Sequence, residues 1–154
     1  MASTIQESIQ VGVPVRTAYN QWTQFEQFPR FMEGVDQVTQ LDDTTLRWTA
    51  EIGGVQREWM AEITEQVPDQ RVSWRAVGDL THAGVVTFHR VDDTTTRVML
   101  QMEIEPTDWK EAVADRLKLT DKRVEGDLKR FKEFIETRGR ETGAWRGQVP
   151  RDPM

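Results

Sequence analysis

Cysteine is absent from this chain of 154 residues, which contains two histidines and one tyrosine. Without cysteine there is no disulfide bond, no thiolate nucleophile and no cysteine-ligated metal. The absence agrees with a reducing compartment, and we expect a cytoplasmic protein. The histidines form neither a helical His-x-x-x-His pair nor a cluster with carboxylates, so we predict no metal site and no cofactor.

Long apolar runs and an excess of basic charge are also missing. No run approaches the ~20 apolar residues that a membrane span needs, and the N-terminus lacks the basic and apolar regions of a signal peptide. The formal net charge of −6 argues against a nucleic-acid partner. Neither a Gly-x-Ser-x-Gly nucleophile turn nor a phosphate-binding loop occurs. We expect a soluble single domain, as a monomer or homodimer.

The order of the hydrophobic patterns predicts an α+β fold. Alternation of apolar and polar residues indicates a first strand over residues 4–11. Two short helices follow. Pro14 suits the first turn of one, and Thr23 with Glu26 has capping-box spacing at the start of the other, which Pro29 ends early. Turn residues then separate six further strands of an antiparallel sheet, over 35–41, 46–52, 55–67, 71–77, 82–91 and 96–105.

A long amphipathic helix closes the folded part of the chain, with apolar residues at spacings of three and four over residues 107–138. At ~1.5 Å per residue it would be about 48 Å long, so we predict a bend or break near Leu119-Thr120. Gly139 marks its end, and residues 139–154 are expected to form a mostly mobile tail, with Trp145 able to dock on the surface. A curved sheet folded around this helix would leave an apolar hollow between them.

Three tryptophans fall on inward positions of three consecutive predicted strands. A single aromatic residue usually packs in the core, but together they indicate a wall against which a planar apolar ligand would stack. The residues predicted to line the hollow are Trp48, Trp59, Trp74, Phe88 and Met102 from the sheet, and Val124, Leu128 and Phe131 from the helix.

Two polar residues are candidates for ligand contact or catalysis. The alternation of its strand places Arg57 on the apolar, inward face. A guanidinium on that face would anchor a ligand carbonyl, carboxylate or enolate. Alternatively, a bulge turns it outward, or it pairs with an inward carboxylate such as Glu7. His82 shares parity with inward residues and would serve as an acid, a base or a hydrogen-bond donor at the cavity mouth, unless it is a partly exposed turn residue. His89 has the opposite parity and is expected to face solvent.

Three segments carry a family resemblance: Phe25-Glu26-Gln27-Phe28-Pro29-Arg30-Phe31, Gly53-Gly54 before Arg57-Glu58-Trp59, and Gly126-Asp127-Leu128-Lys129-Arg130-Phe131-Lys132-Glu133-Phe134-Ile135-Glu136. They resemble the START-like, or helix-grip, superfamily, close to the polyketide cyclase/dehydrase-like (SRPBCC) proteins of bacteria. The resemblance covers roughly residues 3–138 and implies a seven-stranded curved antiparallel sheet that grips the C-terminal helix, with a cavity between them.

The family resemblance also implies a range of functions. Relatives bind lipids, sterols, quinones, plant hormones or polyketide intermediates, and some catalyse aromatic ring closure and dehydration. In the cyclases an arginine and hydroxyl-bearing residues within the cavity assist enolisation. Arg57 lies near the matching strand, whereas the one tyrosine, Tyr19, lies on a helix.

Residues 1–138 are therefore predicted to form one helix-grip domain that binds a small hydrophobic molecule, such as a lipid, an isoprenoid or a polyketide-like compound. Two alternatives stay open. A polyketide cyclase or dehydratase, which needs neither a metal nor a nucleotide cofactor, would use Arg57 and His82 to polarise a carbonyl. A protein-interaction module with a filled core would bind a protein through the final helix or the tail.

Overall fold

Seven strands and two α-helices make up the computed structural model, which describes residues 3–32, 35–52, 55–77, 81–105 and 113–147. The strands are β1 Ser3–Val11, β2 Val35–Gln40, β3 Thr45–Ile52, β4 Val55–Val67, β5 Arg71–Val77, β6 Thr81–Asp92 and β7 Thr95–Glu105. Helix α1 (Val15–Trp22) and a 3₁₀ helix (Phe25–Arg30) connect β1 to β2, and helix α2 (Val113–Arg138) follows the sheet. The predicted order of elements is confirmed.

All seven strands belong to one antiparallel sheet in the order β1-β7-β6-β5-β4-β3-β2. The sheet is curled into a half-barrel, and α2 packs against it. β1 pairs with β7, from Ser3 opposite Ile104 to Val11 opposite Thr96. The first two strands of the chain therefore lie at opposite edges, and the connection through α1 and the 3₁₀ helix spans the sheet.

The predicted alternation of inward and outward positions is confirmed along the central strands. In β6, Val86 and Phe88 are buried and His89 is exposed. In β7, Val98 and Leu100 are buried. Because successive side chains of a strand point to opposite faces, this pattern gives the sheet one apolar face toward the helices and one polar face toward water.

The short helix predicted after α1 is present, but the capping box predicted at its start is wrong. It is a 3₁₀ helix whose N-cap residue is Gln24, and Thr23 Oγ1 instead donates to the carbonyl of Asn20 at 2.6 Å. Pro29 lies inside this helix rather than ending it early. The spacing of its aromatic residues explains the geometry, because residues three apart share one face of a 3₁₀ turn. The three aromatic residues are buried: Phe25, Phe28 and Phe31.

Helix α2 is continuous over 26 residues, so a break near Leu119-Thr120 is wrong, while the alternative of a bend there stays a prediction. At ~1.5 Å per residue it is about 39 Å long. Proline and glycine, the usual causes of interruption, are absent from residues 113–125. The predicted helix start at Thr107 lies outside the described residues. No described helix is both long enough and apolar enough to cross a membrane.

The segment that follows α2 is bound to α1 by hydrogen bonds, and we call residues 141–147 the C-terminal strap. The Thr142 N–H donates to Gln21 Oε1 at 2.8 Å, and Gln21 Nε2 donates to Thr142 Oγ1 at 3.1 Å. The Trp145 N–H donates to Thr23 Oγ1 at 3.0 Å. The mobility predicted for residues 139–154 stays a prediction. The strap gives hydrogen-bond partners to two almost fully buried polar residues, Gln21 of α1 and Thr23 at its C-cap.

A glutamate of α2 joins this helix to the end of β1, and its lowered pKa predicts that the stability of the protein depends on pH. Glu136 Oε2 accepts the Gly12 N–H at 2.6 Å and the Lys132 ammonium at 2.6 Å. The hydrogen bond from Lys132 is the main reason that the pKa of Glu136 lies below its ordinary value of 4.5. Because the pKa is lower in the folded state than in the unfolded state, the ionised carboxylate stabilises the fold at pH values above 4.5. This contribution is lost as the pH falls through the lowered pKa.

We expect Glu136→Gln to lower the free energy of unfolding by roughly 0.5–1 kcal/mol at pH 7, because the side chain is partly exposed and the ion pair is screened. Below pH 4 the difference from the parent protein should shrink. Urea denaturation across this pH range measures it, with the exposed Glu133→Gln as the matched charge control. An equal pH profile for the two variants would contradict the assignment.

Candidate ligand-binding site

Burial of the inner face of the sheet decreases in one direction along β4 and β7. Along β4 it falls from Ile63, 2% exposed, to the half-buried Trp59. Along β7 it falls from Val98, fully buried, to the half-buried Met102. We call the large half-buried side chains of this face the open-end residues: Trp48, Trp59, Trp74 and Met102. They give this end an apolar surface that is incompletely covered.

Two of the open-end residues form a stacked pair. Trp48 lies directly opposite Trp59 in the β3–β4 ladder, and their rings are 5.8 Å apart and nearly parallel, at 9°. Phe28 of the 3₁₀ helix packs on the Trp48 ring at 5.6 Å. The Trp48 Nε1–H is buried and has no hydrogen-bond acceptor in the described part of the chain. The pair presents flat apolar surface and one free indole donor.

Trp74 lies apart from this pair. It stands opposite Ile63 on β4, four residues from Trp59, which is about 13 Å along a strand. On its other side it faces Gly84, which is in turn opposite Met102. The predicted aromatic wall therefore consists of two groups, Trp48 with Trp59 and Trp74 with Met102.

The absence of a side chain at Gly84 leaves room for the Trp74 indole on the sheet. A Cβ atom at position 84 would lie 2.5 Å from Trp74 Cζ2, far inside van der Waals contact. We expect Gly84→Ala to displace the indole and to lower the free energy of unfolding by about 1–3 kcal/mol, as overpacking does. Thermal unfolding followed by near-ultraviolet circular dichroism measures both effects.

The control for this change is Gly126→Ala. Gly126 lies within α2, where alanine is the better helix former by up to ~1 kcal/mol and where only the flexible end of Arg130 must move. Equal effects of the two substitutions would show that Gly84 is not needed to seat Trp74.

Four residues predicted to line the hollow are buried in the packed core. Phe131 is fully buried, with its ring 5.1 Å from Trp22 and 5.3 Å from Phe31. Phe88 packs edge-on against Tyr19 at 5.5 Å. Val124 and Leu128 are buried, at 6% and 2% exposure. The role of these four residues as ligand contacts stays a prediction, and their packing accounts for how α1 and α2 are held on the sheet.

The two candidate catalytic residues are described only in their backbones. Arg57 pairs with Ala50, which is buried, and His82 pairs with Ile104. Their side chains lie outside the described part of the structure, and so does the Gly53-Gly54 turn. Among the described residues, no group of three or more histidine, aspartate or glutamate side chains is placed to hold a metal.

A polar cluster beside α1 has no counterpart in the sequence analysis. Strict alternation from Ile63 puts Gln66 on the outer face, but a bulge between Ile63 and Glu65 reverses the parity, and Gln66 is 1% exposed. Tyr19 of α1 is fully buried, and this burial raises the pKa of its phenol. Interactions with Gln66 and Arg146 lower the pKa and so offset part of the rise. No local sequence signal marks a bulge of this kind, which is why Gln66 was missed.

The turn between β4 and β5 carries the third member of the cluster. Asp69 has φ of 63°, the left-handed conformation that the third residue of a tight turn adopts. Its Oδ2 accepts from Arg146 Nη2 of the C-terminal strap at 2.8 Å. Arg146 Nη1 donates to Asn20 Oδ1 at 2.7 Å, and its guanidinium lies 5.7 Å from the centre of the Tyr19 ring. One strap residue thus joins α1 to the β4–β5 turn.

A curled seven-stranded antiparallel sheet with a long C-terminal helix gives the chain a helix-grip fold. The aromatase/cyclase Zhui from Streptomyces sp. R1128 has this fold, with a TM-score of 0.78, 12% identity and coverage of 94% of this chain and 100% of its own. A START superfamily protein from Mycobacterium smegmatis matches with a TM-score of 0.65, 13% identity and coverage of 82% and 97%. At these identities the likeness shows the fold alone.

Comparison of the sequence, rather than of the fold, identifies the family. A family model described as polyketide cyclase / dehydrase and lipid transport matches residues 11–133, and the chain belongs to this family. An uncharacterized 17.2 kDa protein from the melC2-rnhH intergenic region of Streptomyces lincolnensis is 57% identical over 148 residues, which cover 96% of this chain and 99% of that protein. The predicted resemblance is confirmed, and membership supports a role in binding or cyclising a ligand.

Proposed function

We propose that the protein binds a small hydrophobic molecule of the lipid, isoprenoid or polyketide kind between the open end of its sheet and α2. The observation that carries the proposal is the group of open-end residues, which are large apolar side chains of the inner face that the protein covers only in part. Apolar surface left partly uncovered inside a concave sheet is typical of a binding site.

The stacked pair favours a ligand with a flat apolar part. The rings of Trp48 and Trp59 offer parallel faces, and aromatic rings pack well against planar groups. The Trp48 Nε1–H would donate to an oxygen of the bound molecule, since a buried donor without a partner is costly. A planar compound with a carbonyl or hydroxyl group meets both requirements.

The test is a titration of the full chain with 2-naphthol, followed by quenching of tryptophan fluorescence. We expect saturable quenching, and we expect Trp48→Leu to raise the Kd at least tenfold because it removes both the stacking surface and the donor. Native mass spectrometry of the protein purified from its own host would then give the mass of the natural ligand.

Trp145→Phe is the matched control, because it removes an indole from the C-terminal strap rather than from the sheet. It should leave the Kd unchanged. A lack of saturable quenching, together with a bare chain in native mass spectrometry, would refute the proposal and favour an interaction module with a filled core.

A cyclase or dehydratase acting on the same ligand is the second proposal, supported by the family and by the aromatase/cyclase fold match. The backbone of Arg57 lies opposite the buried Ala50 and two residues from Trp59, at a register position that suits a ligand anchor. In an enzyme Arg57→Ala would abolish turnover with the fold retained, whereas in a carrier it would only weaken binding.

A further inference from the structure

Three polar groups from different elements meet beneath the C-terminal strap. They are the Tyr19 phenol of α1, the Gln66 amide of β4 and the Asp69 carboxylate of the β4–β5 turn. The first two side chains are 0% and 1% exposed. Arg146 places two of them together, because its Nη2 donates to Asp69 Oδ2 at 2.8 Å and its guanidinium lies 5.7 Å from the centre of the Tyr19 ring. Gln66 lies beside Tyr19.

These groups have more hydrogen-bonding capacity than the described protein satisfies. Tyr19 Oη, both atoms of the Gln66 amide and Asp69 Oδ1 are buried without a hydrogen-bond partner. Tyr19 lies beside Gln66 but does not complete a hydrogen bond with it. Each buried polar atom left unpaired costs about 1–3 kcal/mol, so a cluster of four calls for an occupant.

The chemistry of the cluster limits what the occupant can be. Asp69 Oδ1 only accepts hydrogen bonds and repels an anion, and Arg146 already balances the Asp69 charge, which removes the attraction for a cation. The amide and the phenol each donate and accept. A neutral hydroxyl group, which also donates and accepts, fits all of them.

We infer that Tyr19, Gln66 and Asp69 form a hydroxyl-binding site, closed by Arg146 of the strap. The hydroxyl comes either from a buried water molecule or from a ligand in the interior. The ligand source rests on the proposed function, because the Tyr19 ring packs on Phe88 of the inner face. The water source does not depend on it, since buried water commonly bridges such groups.

A crystal structure of the ligand-free protein tests the first source. We expect an ordered water within hydrogen-bond distance of the Gln66 amide and of Tyr19 Oη or Asp69 Oδ1. A second measurement compares the Kd of 2-naphthol with that of 2-methylnaphthalene, which replaces the hydroxyl by a methyl group of similar size. 2-Naphthol has a single hydroxyl, which either accepts from Trp48 Nε1 or enters this site. If it enters this site, Tyr19→Phe will raise the Kd of 2-naphthol about tenfold and leave that of 2-methylnaphthalene within twofold.

Thr96→Val is the control for loss of a buried hydroxyl. Thr96 is fully buried, but its Oγ1 already donates to the Val13 carbonyl at 2.8 Å, so its removal should change the Kd of neither probe. A dry cluster in the crystal structure, together with an equal response of both probes to Tyr19→Phe, overturns the inference. If neither probe binds any variant, the proposed function fails for these compounds, and the ordered water alone decides the site.

Discussion

Phe131→Ala is expected to lower the free energy of unfolding by about 3–5 kcal/mol, the largest effect of any substitution proposed for this protein. The side chain is fully buried in α2 and its ring contacts both Trp22 of α1 and Phe31 after the 3₁₀ helix, at 5.1 and 5.3 Å. Removing the ring leaves a cavity between three elements that cannot all close on it. Urea denaturation at neutral pH measures the loss.

The neighbouring Phe134→Ala provides the comparison. Phe134 is only half-buried, although its ring also lies near Phe31, at 5.4 Å, and Arg138 packs over it. We expect it to cost less than half as much, since less apolar area is returned to water. Phe131→Leu, which keeps most of the volume, should also be mild. Equal costs for Phe131→Ala and Phe134→Ala would contradict the placement of Phe131 at the centre of the core.

Arg146→Ala should lower the free energy of unfolding by about 1–2 kcal/mol, the largest effect expected for a polar group. It removes the hydrogen bonds to Asn20 Oδ1 and Asp69 Oδ2 and takes the partner cation away from the Asp69 carboxylate. The side chains of Arg146 and Asp69 are 28% and 33% exposed, so solvent screening reduces the loss below that of a fully buried pair. Urea denaturation with circular dichroism measures it.

Two control variants identify the cause of that loss. Arg140→Ala removes an exposed charge just before the strap and should be nearly neutral. Asp69→Asn keeps a residue that tolerates the left-handed conformation while removing the charge, so it should reproduce part of the Arg146→Ala effect. If Arg146→Ala proves no worse than Arg140→Ala, the strap contributes nothing to stability.

The strands and the inward face could be predicted because alternation depends on local chemistry. Trp48, Trp59 and Trp74 have the period of two that a half-covered sheet requires, and all three lie on the inner face. What the alternation cannot give is the register between strands. Only the pairing of Trp74 with Ile63 shows that Trp74 is displaced from the other two tryptophans.

The polar cluster and the strap could not be predicted, for a different physical reason. The inward position of Gln66 depends on a single extra residue in β4, which changes parity without leaving a mark in the composition. Thr23 illustrates the same limit. The capping-box spacing predicts that its hydroxyl caps a helix locally. The hydroxyl instead donates to the Asn20 carbonyl and accepts from the Trp145 N–H, more than a hundred positions away.

The edge position of β1 has a consequence for how the protein folds during synthesis. The β1–β7 ladder pairs Ser3 with Ile104 and Val11 with Thr96, so it can form only after β7 has been synthesised. At translation rates of about 5–20 residues per second, the nascent strand spends on the order of five to twenty seconds outside the ribosome without that neighbour. Its apolar residues, Ile5, Ile9 and Val11, are the ones that a chaperone would cover during this interval.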